Sequence, residues 1–170
     1  MRRLIIMRHA KSDWNTGLDD HERPLNKRGR RDAPRMADAL VRLGWSPDVV
    51  ICSSAQRTVE TWGCMAGCFP DSVAVRIEPA LYLAGLGAIQ DAVHTLSDDV
   101  HTVLVLGHNP GWEGAASALS QQPMHMTTAN AALIELVPTG WAEAISTPAR
   151  RLHALLRPKE LADLFPEGVD

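Results

Sequence analysis

The chain is 170 residues long and 45% hydrophobic, which predicts a single domain with a buried core over residues 1–170. Its 17 basic and 20 acidic residues give a net charge of −3, which argues against nucleic acid or a membrane as a partner. The apolar run at 4–7 is too short for a signal peptide or a membrane span, so we expect a cytoplasmic protein, and we expect a monomer.

Strands and helices are predicted to alternate along the chain. Four continuous apolar runs predict strands that are buried on both faces of a sheet. They span residues 4–7, 49–53, 73–77 and 102–106. Between them, 56–65 has the apolar stripe of a clear helix, whereas the arginine-rich stretch 26–43 predicts a helix that is interrupted, or begins, near Pro34. This order is typical of a three-layer α/β/α sandwich with a mostly parallel central sheet.

The pattern after the fourth strand is less regular. Residues 131–137 predict another strand, 141–156 fit either a helix or a strand, and 158–165 predict a short final helix. The topology of this last part of the chain is left open by the sequence.

Cationic and hydrogen-bonding side chains follow three of the predicted strands. Arg8 and His9 end the first strand, Arg57 lies in the first helical turn after the second, and His108 and Asn109 follow the fourth. Each alone has an ordinary structural explanation, such as a surface arginine or a histidine beside a turn. Because parallel sheets place ligands at the carboxyl ends of their strands, the residues together predict a site for a phosphoryl group.

Four segments carry a resemblance to a known family. They are 4–12 (LIIMRHAKS), 20–25 (DHERPL) with Gly29 after it, 53–61 (SSAQRTVET) and 107–110 (GHNP). Their sequence and spacing resemble the histidine phosphatase superfamily, which has the phosphoglycerate mutase-like fold, although Ala10 stands where many relatives carry glycine. The Ala-Lys-Ser continuation and the absence of a large insertion are similar to its small SixA-type phosphohistidine phosphatases.

The resemblance implies a role for each matching residue. His9 would attack phosphorus and become phosphorylated, while Arg8, Arg57 and His108 hold the phosphoryl oxygens. Arg23 resembles the additional phosphate-binding arginine of the SixA type, and we include Asn109, which follows His108 in the same segment, among the phosphate-binding residues. The family chemistry implies no cofactor, and we expect no metal.

The region after the third strand departs from many family members. Phosphomonoesterases and mutases of the superfamily carry a glutamate there that protonates the departing alkoxide, whereas 78–85 reads EPALYLAG. Glu78 is a candidate general acid, but it equally fits an exposed strand end. A leaving imidazole has a conjugate-acid pKa of about 6.5 and departs without such help. The missing acid therefore favours phosphohistidine as the substrate.

Three functions remain open at this point. The favoured one is removal of a phosphoryl group from phosphohistidine on a phosphorylated protein, such as a histidine phosphotransfer domain. The alternatives are a phosphatase of small phosphate esters, which a hidden acid would favour, and a phosphoprotein-binding module without turnover, against which the retained nucleophile His9 argues.

A protein substrate also requires an accessible docking surface. Trp14, Leu18 and Trp112 lie near motif residues and are candidates for an apolar rim, with core packing as the competing explanation. The arginines at 28, 30, 31 and 35 either recruit an acidic partner or form an ordinary solvated helix face.

Overall fold

The computed structural model describes residues 1–167, and within that range six strands form one sheet. They are β1 (Arg2–Arg8), β2 (Val49–Ser53), β3 (Ala74–Glu78), β4 (Thr102–Gly107), β5 (Ala131–Leu136) and β6 (Arg151–Leu156). Their spatial order is β3-β2-β4-β1-β5-β6. The first four in that order are parallel, β5 is antiparallel to β1, and β6 is antiparallel to β5. The predicted mostly parallel sheet is confirmed.

Helices cover both faces of this sheet. The α-helices are α1 (Lys27–Arg42), α2 (Gln56–Met65), α3 (Leu86–Val93), α4 (Gly111–Ser120), α5 (Trp141–Ala144) and α6 (Leu161–Leu164). One apolar core joins a sheet face to α1, α2 and α6, and a second core joins the other face to α3, α4 and α5. The chain therefore folds as the predicted α/β/α sandwich. No helix within residues 1–167 is both long and apolar enough to cross a lipid bilayer.

Helix α1 corrects the expectation that Pro34 interrupts or starts it. The helix begins at Lys27, capped by the side chain of Asn26, which accepts the N–H of Gly29 at 2.9 Å, and it continues through Pro34. An interior proline costs a helix about 3 kcal/mol. Buried residues on both sides of it, such as Ala33 and Met36, lie in one core, and their burial offsets this cost.

Strand β3 corrects a second expectation. β1, β2 and β4 are buried almost throughout, but Val75 and Ile77 of β3 are each 46% exposed because β3 is one of the two edge strands of the sheet. Its apolar residues alone did not reveal this position. The segment 141–156, which the sequence left undecided, contains the short helix α5 and then β6. The predicted final helix corresponds to the 3-10 turn Pro158–Glu160 followed by α6.

Candidate active site

The carboxyl ends of three strands bring the predicted cations and histidines together. β4 lies between β1 and β2 and is parallel to both, so His9 after β1 and His108 after β4 emerge at the same edge. Their ring centroids are 5.5 Å apart. Arg57, in the first turn of α2, places Nη2 3.2 Å from Nδ1 of His108. The three side chains are almost completely buried.

The backbone around His9 is held by hydrogen bonds from several parts of the fold. The His9 N–H donates to the carbonyl of Gly107 at 3.0 Å, and the His9 carbonyl accepts from the N–H of Ala129 at 2.9 Å. The next residue, Ala10, donates its N–H to Oγ1 of Thr61 on α2 at 3.0 Å. His9 is therefore fixed between the central strand, a loop and a helix.

Hydrogen bonding and burial leave His9 ready to act as a nucleophile. Its Nδ1 lies 2.7 Å from the carbonyl of Ala10, which only accepts, so Nδ1 carries the proton and the lone pair of Nε2 remains available. Burial, with added repulsion from the charges of Arg57 and Arg8, lowers the pKa of His9 to about 3. The ring is thus neutral near pH 7.

His108 is neutral as well, and both of its nitrogens are engaged. Because the Arg57 guanidinium only donates, Nδ1 of His108 accepts, and the protonated Nε2 donates to Oγ of Ser53 at 2.7 Å. Burial and the charge of Arg57 lower the pKa of His108 to about 3. The sequence analysis gave Ser53 no role, but its hydroxyl is the hydrogen-bond partner of His108.

Three arginines at the site keep unused donors. Arg8 donates through Nη1 to the carbonyl of Met126 at 3.1 Å, and Arg57 through Nη1 to the carbonyl of Asp20 at 2.6 Å. Arg8, Arg23 and Arg57 nevertheless each have a buried Nε that lacks a hydrogen-bond partner among the described residues. Burial also lowers the pKa of Arg8. Since buried donors without partners are costly, this arrangement favours an anionic acceptor.

Asp20 is the main site residue that the sequence did not reveal. Its carboxylate accepts from Arg23 and Arg57, each at 3.0 Å, and from the hydroxyl of Tyr82 at 2.5 Å. These donors, Tyr82 foremost, hold the pKa of the Asp20 carboxyl well below its usual range, and the same bond raises the pKa of Tyr82. A signal was present, because Asp20 and Arg23 are three residues apart and a single helical turn brings such residues together.

Asp20 and Arg23 belong to residues 13–25, which we call the 13–25 loop. Its base is closed by the N–H of Asp13 donating to the carbonyl of Pro24 at 2.8 Å, and by that of Asn26 donating to the carbonyl of Lys11 at 3.0 Å. Arg23 donates to Oγ of Ser12, and its guanidinium lies 3.6 Å from the ring centroid of Trp14. The loop thereby holds Arg23 over the site.

Comparison with known proteins assigns the family. Residues 4–98, more than half of the chain, match the model of the histidine phosphatase superfamily (branch 1). The chain belongs to the histidine phosphatase superfamily.

Further comparisons find one relative in sequence and two in structure. An uncharacterised chloroplastic protein of Arabidopsis thaliana is 37% identical over 155 residues, which cover 85% of this chain and 71% of that protein. A structure from Nakamurella multipartitia, proposed to be the phosphohistidine phosphatase SixA, is 29% identical with a TM-score of 0.78, covering 92% of this chain and 96% of that one. The protein histidine phosphatase SixA in complex with tungstate has a TM-score of 0.80 at 22% identity, covering 94% and 99% of the two chains.

Two of the candidate site residues are engaged elsewhere. The Asn109 amide nitrogen donates to Glu113 at 3.1 Å and to the carbonyl of Met126 at 2.7 Å, so binding of phosphate by Asn109 requires one of these bonds to open. Glu78 at the end of β3 accepts the N–H of Ala80 at 3.2 Å and caps the 3-10 turn Pro79–Leu81. Within residues 1–167, no hydrogen bond or ion pair joins Glu78 to His9, and its catalytic role stays a prediction.

The proposed apolar rim is only partly present. Trp112 is fully buried and donates its ring N–H to the carbonyl of Val105, so core packing is the correct explanation for it. Trp14 and Leu18 of the 13–25 loop are 70% and 51% exposed.

The arginines of α1 are mostly paired within the fold. Arg28, Arg31 and Arg35 surround the buried Asp32 at 3.3 to 3.5 Å, and Arg30 lies 3.7 Å from Glu60. This arrangement favours a solvated helix face over a surface that recruits a partner.

Proposed function

We propose that this superfamily phosphatase removes the phosphoryl group from phosphohistidine on a partner protein, with His9 as the nucleophile. The observation that carries the proposal is the state of His9: a neutral, immobilised ring with a free Nε2 lone pair, close to guanidinium groups that retain unpaired donors. A buried nucleophile and preorganised cations are what phosphoryl transfer requires.

The reaction takes place in two steps. Nε2 of His9 attacks phosphorus while the bond from phosphorus to the substrate imidazole breaks, and that imidazole nitrogen keeps the electron pair and takes up a proton from solvent. Water then attacks phosphorus of phosphorylated His9, which releases inorganic phosphate and restores the neutral ring. Arg8, Arg23 and Arg57 stabilise the negative charge on the three phosphoryl oxygens in both steps.

His108 gains a role when the phosphoryl group is bound. A dianion beside the ring favours its protonated form, which opposes the lowering of its pKa by burial and by Arg57. Protonated His108 donates from both nitrogens, so Nδ1 no longer accepts from Arg57, and the Nδ1–H and the freed Arg57 donor can both turn to phosphoryl oxygens.

The protonation state of Asp20 supports phosphohistidine over phosphate esters. Asp20 is the carboxylate that contacts Arg23 and Arg57, and its lowered pKa keeps it ionised and unable to protonate a leaving alkoxide near pH 7. An imidazole leaving group has a conjugate-acid pKa of about 6.5 and needs no strong acid. The exposed Trp14 and Leu18 provide apolar surface for a protein such as a histidine phosphotransfer domain.

The test is dephosphorylation of a phosphohistidine-bearing phosphotransfer domain alongside a panel of small phosphate esters. We expect faster turnover of phosphohistidine, and we expect His9→Ala to lower kcat/KM by at least about 1,000-fold, as for other nucleophiles. The matched control is His101→Ala, because the side chain of His101 is exposed.

Two results would contradict the proposal in different ways. Faster hydrolysis of a small ester than of phosphohistidine would move the substrate to small molecules and keep His9 as the nucleophile. Phosphoprotein binding without turnover would instead identify a binding module. Trapping of an acid-labile phosphoryl group on the wild type, but not on His9→Ala, establishes the covalent intermediate.

A further inference from the structure

A second cationic cavity lies next to the phosphoryl site and shares Arg8 with it. Its volume is about 350 Å³. Four cations line it, namely Arg8, Lys11, Arg28 and Lys159, and no acidic residue does. Arg8 alone among the four has a role in the proposed reaction.

Most of that charge is not neutralised by the fold. Within residues 1–167, the side chains of Lys11 and Lys159 form no hydrogen bond or ion pair, and Arg8 forms no ion pair, although the charge of Glu113 acts on it from a distance. Arg28 alone among the four reaches an acid, Asp32, at 3.4 Å. Several like charges facing one partly open space raise the local positive potential, which attracts an anion.

Two buried donors at the cavity wall strengthen this conclusion. Asn130 is fully buried, and its Oδ1 accepts from the hydroxyl of Thr127 at 3.1 Å, which orients the amide. Its Nδ2 and Nε of Arg8 are both buried without a hydrogen-bond partner among the described residues. Donors of this kind are rare in folded proteins and indicate an acceptor supplied from outside.

The walls of the cavity are rigidly built. A Cβ on Gly29 of α1 would collide with the backbone of Lys11, so only glycine allows the segment that follows β1 to approach α1 this closely. The bond from the N–H of Asn26 to the carbonyl of Lys11 fixes the same contact, and the N–H of Arg8 donates to the carbonyl of Asn130 at 3.0 Å. The cations are thus attached to a preorganised frame.

We infer that this cavity binds a second anionic group of the substrate, a carboxylate or phosphate adjacent to the phosphoryl group that His9 accepts. The inference rests on the proposed function, which gives the position of that phosphoryl group. Arg8 lines the cavity and is also a proposed ligand of the phosphoryl group. An acidic side chain beside a phosphohistidine carries the required group, and so does the second phosphate of a small bisphosphate.

Binding of inorganic phosphate tests the cavity without any turnover. In an NMR titration of ¹⁵N-labelled protein at constant ionic strength we expect two saturable phosphate sites. Binding at one should shift the amide signals of Thr127, Thr128 and Asn130, and binding at the other should shift those around Arg57. Lys11→Gln/Lys159→Gln should weaken the first site about tenfold, the scale of charge-assisted hydrogen bonds. Arg57→Gln should weaken the second site and spare the first.

The control for that titration is Lys27→Gln, which removes an exposed charge on α1 that does not line the cavity. It should leave both affinities unchanged. A single phosphate site in the wild type, or equal effects of the control and the double variant, would overturn the inference whether or not the protein is a phosphohistidine phosphatase.

Turnover then identifies the source of the anion. Two phosphohistidine peptides that differ in a flanking Asp or Asn form one pair, and a hexose bisphosphate with its monophosphate forms the other. Within the pair that contains the true type of substrate, we expect KM to be about tenfold lower for the member with two anionic groups. The ratio of the two KM values should fall towards one in Lys11→Gln/Lys159→Gln. A ratio unchanged by the double variant contradicts the inference, while lack of phosphohistidine turnover contradicts only the proposed function.

Discussion

The floor of the active site and the 13–25 loop above it are built in opposite ways. The floor residues His9, Arg57 and His108 are buried at strand ends or in the first turn of a helix, whereas Trp14 and Leu18 of the loop are more than half exposed. The floor is held by backbone bonds from the sheet, while the loop is closed at its base and held over the site by the side chains of Asp20, Arg23 and His21, whose Nε2 lies 2.9 Å from Oγ of Ser54. The comparison separates a buried floor fixed by the sheet from a loop with exposed apolar side chains.

The largest effect is expected from a change in the floor, at Gly107. A Cβ on Gly107 would collide with the Trp112 ring, so Gly107→Val forces the ring or β4 to move. We expect the free energy of unfolding to fall by about 3 kcal/mol and activity to be lost, measured by urea unfolding and phosphohistidine turnover. Gly114→Ala in α4, where a Cβ meets open space, should stabilise the helix by about 0.5–1 kcal/mol.

The next effect concerns the pH dependence of stability. His9 and His108 have pKa values of about 3 in the folded protein, against about 6.5 when unfolded. Below pH 6.5 the unfolded state binds protons that the folded state does not, so the free energy of unfolding falls as the pH drops from 6.5 to 3, by about 1.4 kcal/mol per histidine for each pH unit.

Urea unfolding at pH 7, 6 and 5 measures this dependence. His9→Gln/His108→Gln should flatten it, whereas His101→Gln at an exposed position should not. A wild-type stability that is constant over this range would refute the buried neutral state of the two rings, as would ring NMR signals that titrate near pH 6.5.

A smaller effect is expected from Asp20 in the loop. Its carboxylate competes with the phosphoryl group for the donors of Arg23 and Arg57. Asp20→Asn should therefore bind inorganic phosphate about tenfold more tightly, since one charge-assisted hydrogen bond accounts for that difference. The control is Asp19→Asn, next to it in the same loop, and weaker binding by Asp20→Asn would show that Asp20 positions the arginines instead.

The smallest effect is expected at Trp14. Its ring packs against the guanidinium of Arg23 and is otherwise largely exposed. Trp14→Ala should raise KM for a phosphoprotein about threefold and change the free energy of unfolding by less than about 0.5 kcal/mol, as expected for an exposed contact. Val75→Ala, which removes exposed apolar surface from β3, should leave KM unchanged.

The floor was accessible from the sequence, whereas in the loop Arg23, Trp14 and Leu18 were identified but the contacts of Asp20 were not. Strand ends follow from continuous apolar runs, and the order of strands and helices determined which ends meet, so His9, Arg57 and His108 were identified together. The contact of Asp20 with Tyr82 joins residues far apart in the chain through a loop of irregular backbone. No periodic pattern encodes such a contact, because its geometry depends on tertiary packing.

The same distinction explains the errors in the fold. Pro34 has a strong local preference that the burial of α1 outweighs, and the apolar residues of β3 do not reveal that the strand lies at an edge. Trp112 was ambiguous because a tryptophan suits either a rim or a core. Local propensity is thus least informative where long-range packing decides the outcome.

The closed base of the 13–25 loop also bears on how such a protein can diversify. Hydrogen bonds from the N–H groups of Asp13 and Asn26 close the base of the loop. The residues between them therefore form a loop whose length is not fixed by the sheet. Insertions, deletions or grafted segments at its tip leave the register of β1 and α1 unchanged. The tip is therefore a natural place for laboratory libraries that vary substrate recognition while His9, the proposed nucleophile, stays in place.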